Sequence, residues 1–465
     1  MKNFLTLSYG ELEALNLEAK QMRLDRDDAA ERKHRDWLKD QKDVKAVTVC
    51  FSDIEGRLHM LDYDKKHLLA RAEGLSFDGS SVRGFTGQDE SDLRLEIDWP
   101  AFYRLPADVF GPGKVIVFAF VLQRDGAPYS ADFRGRLKAL SDAVRADGKS
   151  VTAAFEIEGF LFRGRNAEQA YRQTGEFDFA SSCGYFHSLP GDDLRRFIDR
   201  VAEAQRAMGF GNEKDHPEVA PSQFELNFAP AEMRVATDQA QLYKLVCRQT
   251  ASAMGMTASF LPKPVAGVNG SGMHTNISVA AGESSLFARS QDDAALSDYG
   301  IAFAERILAR ANDICLVLNP SVNSYRRLDP AFEAPNEIKH SAIDRGSMIR
   351  TPLAMSASSA RIEVRSVSPD ANPYMLLCAL AKIGLGMDGE DRPPPQSAVL
   401  LCGNIYDAIE ALRADDVLGP VEAAKYRKLK EAAADRCARE LGSIVKRGEI
   451  MFHHEVTNQF LWGMF

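Results

Sequence analysis

Polar and apolar side chains alternate along four short segments of the chain, and this two-residue period predicts β-strands with one polar and one apolar face. The polar positions are Arg361, Glu363 and Arg365; Glu156 and Glu158; Gln223, Glu225 and Asn227; and His274 and Asn276. A solvated polar face is the simpler interpretation of any one strand. Together, however, the faces select carboxylates, guanidiniums and an imidazole, the groups that hold hard cations and polyanions. The pattern therefore predicts that the four strands meet in one cavity for charged ligands.

Patterns elsewhere predict a helical N-terminal arm at 1–42, a small strand-rich domain at 43–126 and a larger domain at 130–465. The small domain is expected to open with a β-hairpin, with strands at 45–51 and 57–61, and to end with a strand at 114–122. Helices are predicted at 133–147 and 194–208, and near 235–254, 296–317, 372–387 and 421–441.

The length and composition of the chain exclude several classes of protein. With 465 residues, of which 45% are hydrophobic, the chain is long enough for two domains with substantial cores. Its formal net charge of -9 and its lack of a Lys/Arg block argue against a nucleic-acid partner. Seven dispersed cysteines predict no disulfide framework. The N-terminus has no apolar signal core and no apolar run is long enough to span a bilayer, so we expect a cytoplasmic protein with no membrane partner.

Six segments resemble, in order, the active-site motifs of the glutamine synthetase family, particularly its bacterial type I form. They are Glu156 with Glu158, 218–227, 269–274, 323–335, 345–352 and 361–365. The segments 78–81 and 90–92 resemble the N-terminal ammonium-site segment of that family. The resemblance implies an α+β fold with an N-terminal β-grasp domain and a large catalytic domain of curved antiparallel sheet and flanking helices.

The resemblance also implies ATP and two or more Mg²⁺ or Mn²⁺ ions. Glu158, Glu218 and Glu225 match the ligands of one ion, and Glu156, His274 and Glu363 match those of the second. Pro221 and Ser222 permit a turn that brings Glu218 and Glu225 together. Carboxylates with a single imidazole favour Mg²⁺ or Mn²⁺ over Zn²⁺. A lone histidine is more often a satisfied core residue, but the glycine-containing loop at 269–273 favours a ligand role for His274.

Planar guanidiniums suit carboxylate and phosphate groups, and the resemblance assigns several arginines to them. Arg345 and Arg350 match contacts to the nucleotide phosphates or the transferring phosphoryl group, Arg361 matches the nucleotide side, and Arg327 and Arg365 match the residues that hold the glutamate carboxylate. Asn269 and Gly270 match further glutamate-binding positions, and Glu213, Asn276 and Ser278 fall at nucleotide-binding positions.

Ammonium must lose a proton before it attacks, so its site needs an anionic pocket with a base. Asp78, Ser81 and Tyr185 match the residues that form this pocket. Glu333 matches the flap carboxylate that closes over the glutamyl intermediate and excludes water.

The chain departs from the family pattern at three positions, and two of them, Asn276 and Ser358, lie on the nucleotide side. Asn276 stands where the family commonly has a second histidine, and Ser358 where it commonly has a lysine. Gly159 replaces a usual aromatic residue. Tyr406 lies near the adenylylated tyrosine of some relatives, but the local match is poor, and we expect it to be unmodified.

Three functions are compatible with these residues. The first is glutamine synthesis from glutamate, ammonia and ATP; the second is a γ-glutamylamide synthetase that uses a larger primary amine; the third is a catalytically silent sensor of glutamate or nucleotide. Retention of Asp78, Ser81, Asp92 and Tyr185 favours ammonia. The resemblance further implies a homo-oligomer, typically a dodecamer, in which Asp78 serves the site of a neighbouring subunit.

Overall fold

The computed structural model describes residues 6–24, 27–187, 189–328, 334–390, 392–395 and 399–452. The strands are β1 Ala46–Ser52, β2 Leu58–Asp64, β3 Leu75–Asp78, β4 Asp92–Arg104, β5 Val115–Leu122, β6 Lys149–Arg163, β7 Asn212–Pro217, β8 Gln223–Phe228, β9 Ala231–Glu232, β10 Met256–Ser259, β11 Met273–Ala281, β12 Ser284–Ser285, β13 Glu337–Ser341, β14 Ser347–Arg350 and β15 Ile362–Val364. The helices are α1 Tyr9–Leu24, α2 Asp27–Asp40, α3 Lys65–Arg71, α4 Ala107–Phe110, α5 Phe133–Ala146, α6 Ala167–Thr174, α7 Asp193–Ala207, α8 Met233–Ala253, α9 Asp298–Ala309, α10 Cys315–Leu318, α11 Val322–Arg327, α12 Pro373–Gly384, α13 Ile405–Ala411, α14 Asp415–Leu418 and α15 Pro420–Phe452.

The small sheet has the strand order β2-β1-β5-β4-β3. Strands β1 and β2 form the antiparallel hairpin predicted from the sequence, and β5 lies parallel to β1. Strand β4 was not predicted, because much of its C-terminal half is buried on both faces and shows no alternation. The register between β4 and β5 shifts between Ile97 and Phe102, around Pro100, which has no N–H to donate to a neighbouring strand.

The large sheet runs β13-β14-β15-β11-β6-β8-β7, and only the pair β13 and β14 is parallel along this described path. The alternating segments predicted from the sequence are confirmed as parts of β6, β8, β11 and β15, although β15 is shorter than predicted. The register sets three polar pairs opposite each other: His274 with Glu156, Asn276 with Glu363, and Glu225 with Glu158. Polar residues from distant parts of the chain therefore line up across one sheet.

Helices α5, α7, α8 and α12 contribute buried side chains to the main hydrophobic core beside this sheet. The apolar face predicted for α7 is confirmed, since Leu194, Phe197 and Val201 are fully buried. The helix predicted at 296–317 is instead two helices, α9 and α10. The chain turns between them at Arg310, whose guanidinium is buried. Within the part of the chain that the structure describes, every helix is too short or too polar to cross a membrane.

The N-terminal arm contacts the small sheet and helix α7. Helix α1 packs against α7, and the buried side-chain amide of Asn16 donates to the backbone oxygens of Arg206 at 2.8 Å and Phe210 at 2.6 Å. Glu18 accepts a hydrogen bond from Arg104 of β4 at 2.9 Å, and α2 also packs against β4. The arm thus ties the small domain to the helix that leads into β7.

A buried ion-pair network also joins the small and large domains. The guanidinium of Arg134, on α5, donates to Asp98 of β4 at 2.5 Å and to Asp238 of α8 at 2.7 Å. All three side chains are almost fully buried. Arg134→Ala is expected to lower the free energy of unfolding by about 3–5 kcal/mol, because two buried carboxylates lose the guanidinium that they share. Chemical denaturation tests this, with exposed Arg145→Ala on the same helix as control; equal stabilities would contradict it.

Candidate functional site

A cavity of about 400 Å³ opens on the polar row of the large sheet. Its lining includes most of the residues that the sequence assigned to ligands: Glu156, Glu158, Tyr185, Glu218, Glu225, Asn269, Gly270, His274, Arg327, Arg345, Arg350, Arg361 and Arg365. The structure therefore brings these side chains together, while their individual roles stay predictions.

Glu156, His274 and Glu363 form the first ligand group, and each places one ligand atom within 4.8 Å of the other two. Nδ1 of His274 lies 3.6 Å from a carboxylate oxygen of Glu156 and 3.6 Å from one of Glu363. Glu363 is fully buried and accepts hydrogen bonds from Arg350 at 2.7 Å and Arg365 at 2.8 Å. Burial acts to raise the pKa of Glu156, but the contact with His274 lowers it to about 2. Two carboxylates and one imidazole suit Mg²⁺ or Mn²⁺.

The second ligand group is the set predicted from the sequence, Glu158, Glu218 and Glu225, and all three line the cavity. Burial and the charge of Glu158 raise the pKa of Glu218 to about 7. Burial and the charges of neighbouring carboxylates raise the pKa of Glu225 well above its usual range. Carboxyl groups whose ionised forms repel each other in this way fit a bound divalent cation, which would relieve the repulsion. The predicted turn brings two of them together, with Ser222 in the left-handed region at φ 62°.

Two side chains of β7 that the sequence analysis missed, Lys214 and His216, also line the cavity. His216, Glu218 and Glu225 each place a ligand atom within 4.8 Å of the other two. One oxygen of Glu158 is instead occupied, since it accepts from the amide of Gly272 at 2.7 Å. Burial lowers the pKa of His216, which favours a neutral ring. The available signal was the spacing, because His216 stands two residues before Glu218.

The glycines after Asn269 allow close packing beside Arg327. A Cβ atom at Gly270 would lie 2.9 Å from the Cγ of Arg327, and one at Gly272 would lie 2.8 Å from Nε2 of His274. Arg327 is buried, which lowers its pKa to about 10, and it donates to the backbone oxygen of Val367 at 3.1 Å. The loop therefore needs glycine at these positions because its backbone packs closely against Arg327 and His274.

A second cavity, of about 310 Å³, adjoins the first and shares Glu156 and Arg361 with it. The predicted nucleotide-binding residues that line it are Glu213, Asn276, Ser278 and Arg361. The amide of Asn276 donates to Glu156 at 3.0 Å, and its oxygen accepts from Nε of Arg361 at 2.9 Å. Asn276 therefore links the first ligand group to the guanidinium on the nucleotide side.

The structure shows which side chains surround two of the positions that depart from the family pattern, Gly159 and Ser358. A Cβ atom at Gly159 would lie 2.7 Å from the ring of Phe224 and 3.0 Å from that of Phe260. These rings fill the space that a larger side chain at this position would need. Ser358 lines the second cavity, and its hydroxyl is paired with that of Ser356 at 3.0 Å.

Two residues of the predicted ammonium pocket, Asp78 and Ser81, lie in the small domain and away from the two cavities. Asp78 ends β3 in the small sheet, is exposed, and accepts hydrogen bonds from the hydroxyls of Ser80 and Ser81, each at 2.6 Å. Neither Asp78 nor Ser81 lines either of the two cavities described above, whereas Tyr185 lines the first. Glu333 lies outside the described residues.

Comparisons with known proteins agree with this arrangement. The profile of the glutamine synthetase catalytic domain matches residues 130–440, and that of the glutamine synthetase beta-grasp domain matches residues 43–123. Glutamine synthetase from Thermotoga maritima is 33% identical over 399 residues, which cover 82% of this chain and 89% of that protein. Glutamine synthetase from Staphylococcus aureus is 36% identical over 402 residues, with coverages of 82% and 88%.

Solved structures show the same fold. An ADP complex of GmaS, a γ-glutamylmethylamide synthetase, has a TM-score of 0.74 at 25% identity and covers 86% of this chain and 95% of that one. Plasmodium falciparum glutamine synthetase has a TM-score of 0.76 at 20% identity, with coverages of 93% and 98%. The expected α+β architecture, a β-grasp domain followed by a large catalytic domain with a curved sheet, is confirmed. The chain belongs to the glutamine synthetase family of ligases.

Proposed function

We propose that this protein is an ATP-dependent ligase that activates the side-chain carboxylate of glutamate as γ-glutamyl phosphate. Ammonia then attacks the acyl carbon, inorganic phosphate leaves and glutamine forms. The observation that carries the proposal is that residues of two groups able to hold a cation, Glu156 with His274 and Glu218 with Glu225, line one cavity together with several guanidiniums. A carboxylate is a poor electrophile until it is phosphorylated, and phosphoryl transfer requires neutralisation of the phosphate oxygens.

Residues of both ligand groups would hold the cations, which fit Mg²⁺ or Mn²⁺ and supply charge neutralisation when bound. The proposed ligands are Glu156, His274 and Glu363 for one ion and Glu158, Glu218 and Glu225 for the other. Arg345 and Arg350 would hold the phosphoryl group. Arg327, Arg365, Asn269 and Gly270 would orient glutamate, and Glu333 would close over the intermediate. Bidentate guanidiniums fix both position and charge, which lowers the barrier chiefly through orientation and electrostatics.

The nucleotide side is proposed to be the second cavity. Asn276→Ala removes the link between Glu156 and Arg361, so Arg361 loses the acceptor at its Nε. The variant is expected to raise the KM for ATP about tenfold, the effect of losing a hydrogen bond to a charged group. Steady-state kinetics with varied ATP tests this, and the KM for glutamate serves as the internal control. An unchanged KM for ATP would remove Asn276 from the nucleotide site.

Ammonia is the proposed acceptor because the segment that carries Asp78 and Ser81 keeps its carboxylate and hydroxyls. Tyr185 adds a ring at the mouth of the cavity. A larger primary amine, giving a γ-glutamylamide, is the second candidate because the fold resembles that of GmaS over most of the chain. Both candidates use the same activation step and differ only in the nucleophile.

Phosphate release separates the candidates. The purified protein is incubated with glutamate, ATP and Mg²⁺, with ammonium or with one of a panel of primary amines that includes methylamine. We expect release that depends on ammonium and gives glutamine. Release only with an organic amine would replace the first candidate by the second. No release under any combination would exclude both and leave a silent sensor of glutamate or nucleotide.

We also propose a cytoplasmic homo-oligomer, a dodecamer by analogy with the family, in which Asp78 reaches the cavity of a neighbouring subunit. The support is the position of Asp78, which is exposed in the small domain and outside the cavities of its own described chain. Sedimentation of the purified protein tests the assembly, and a stable monomer would contradict it.

A further inference from the structure

His216 occupies a constrained position at the edge of the second ligand group. The residue is only 5% exposed. The rings of Phe186 and Tyr185 contact it edge-on, with centroid distances of 4.8 and 5.8 Å. Phe186 adopts a φ of 57° and donates its backbone amide to the oxygen of Pro217 at 3.1 Å. Neighbouring residues thus hold the imidazole in one place.

The hydrogen bonds of His216 assign different roles to its two ring nitrogens. Nδ1 lies 3.1 Å from the backbone oxygen of Pro217, which can only accept, so Nδ1 carries the proton. Nε2 therefore presents a lone pair. It is buried, has no hydrogen-bond partner among the described residues, and lies 3.8 Å from a carboxylate oxygen of Glu225. A buried acceptor that faces another acceptor is costly unless a positive group lies between them.

The surrounding carboxylates make a cation the fitting occupant. His216, Glu218 and Glu225 each place one ligand atom within 4.8 Å of the other two, as do the members of the first ligand group. We propose that Nε2 of His216 directly coordinates the divalent cation held by Glu218 and Glu225. Glu158 has one oxygen committed to the amide of Gly272 and offers only its other oxygen. The inference rests on the proposed function, because it adds a ligand to one of the two cation sites.

An imidazole ligand changes the metal preference of a site. Carboxylate oxygens suit Mg²⁺ and Mn²⁺ alike, whereas imidazole favours the transition metal. Removal of the ring should therefore weaken Mn²⁺ binding more than Mg²⁺ binding. His216→Asn is the matched substitution, because its amide reproduces a donor near Nδ1 and places nothing at Nε2.

The test measures Mn²⁺ binding to the complete protein by electron paramagnetic resonance of the free ion, and nitrogen coupling of the bound ion by pulsed methods. We expect two ions per chain in the wild type and an affinity about tenfold lower at one site in His216→Asn. His187→Asn, at an exposed position in the loop after Tyr185, is the control and should change neither the number of bound ions nor their affinities. In His274→Asn, the nitrogen coupling that remains should come from His216.

The outcomes separate this inference from the proposed function. Two ions per chain with unchanged affinities in His216→Asn, or no nitrogen coupling in His274→Asn, would overturn the role of His216 alone. The coupling in His274→Asn does not require the His216 variant to fold. A wild-type protein that binds no Mn²⁺ would overturn both the inference and the two-cation site.

Discussion

Glu225→Gln is expected to reduce metal-dependent phosphate release at least about 1000-fold, since it removes a charged group from the centre of the site. The same change is expected to leave the metal-free protein at least as stable as the wild type. Glu225 is buried beside other carboxylates, and burial and their charges disfavour its ionised form. A neutral amide of the same shape removes the free-energy cost of burying a carboxylate beside other carboxylates. Loss of activity with retained stability is the signature of a ligand rather than of a structural residue.

Thermal unfolding with and without Mn²⁺ checks whether Glu225 is a metal ligand. The wild type should gain stability as the ion binds to the folded state, and Glu225→Gln should gain much less. Glu283→Gln, an exposed change in the same sheet region, is the matched control for the loss of one charge. If Glu225→Gln retains both turnover and the Mn²⁺ effect, Glu225 is not a ligand.

Asp78→Asn is expected to lower kcat/KM for ammonium about 100-fold while the KM for glutamate stays unchanged. The carboxylate of Asp78 is exposed and held by two serine hydroxyls, so its loss should not disturb the fold. An amide can neither attract ammonium nor accept its proton. Asp89→Asn, an exposed change in the same domain, is the control. A collapse of glutamate affinity in Asp78→Asn would show that its role is misassigned.

If Asp78 serves the cavity of a neighbouring subunit, as proposed, the effect of Asp78→Asn can be separated from that of Glu225→Gln. Asp78→Asn and Glu225→Gln chains, each nearly inactive alone, should regain activity when they are co-expressed and purified as mixed oligomers. Some sites would then combine an intact cavity with an intact Asp78 from the next chain. Mixed oligomers that stay inactive would mean that each chain completes its own site.

The sequence predicted the core of the site because strand geometry makes a two-residue period visible. Alternation along β6, β8, β11 and β15 identified the polar faces before their pairing was known. Strand β4 was missed because side chains on both of its faces are buried, so polar and apolar residues do not alternate along it. Pro100 interrupts the pattern further. The prediction of a single helix at 296–317 was wrong. The buried ion pairs of Arg310 fix a turn there, and no local sequence pattern reveals these tertiary contacts.

The role suggested for His216 depends on register, which the sequence alone did not provide. Its partner Glu225 lies opposite it on β8 only because a tight turn sets the pairing. The link made by Asn276 was likewise hidden, since both of its partners lie on other strands or loops. The limits of the domains and the individual roles of the site residues, Asp78 and Glu333 included, stay predictions.

We propose that two divalent cations bind between carboxylates and imidazoles from distant segments of the chain. Diffraction from crystals grown with Mn²⁺, recorded at a wavelength where manganese scatters anomalously, tests it most directly. We expect two anomalous peaks at the cavity of about 400 Å³, one among Glu156, His274 and Glu363 and one between Glu218 and Glu225. A cavity without peaks, or peaks only at surface carboxylates, would contradict it.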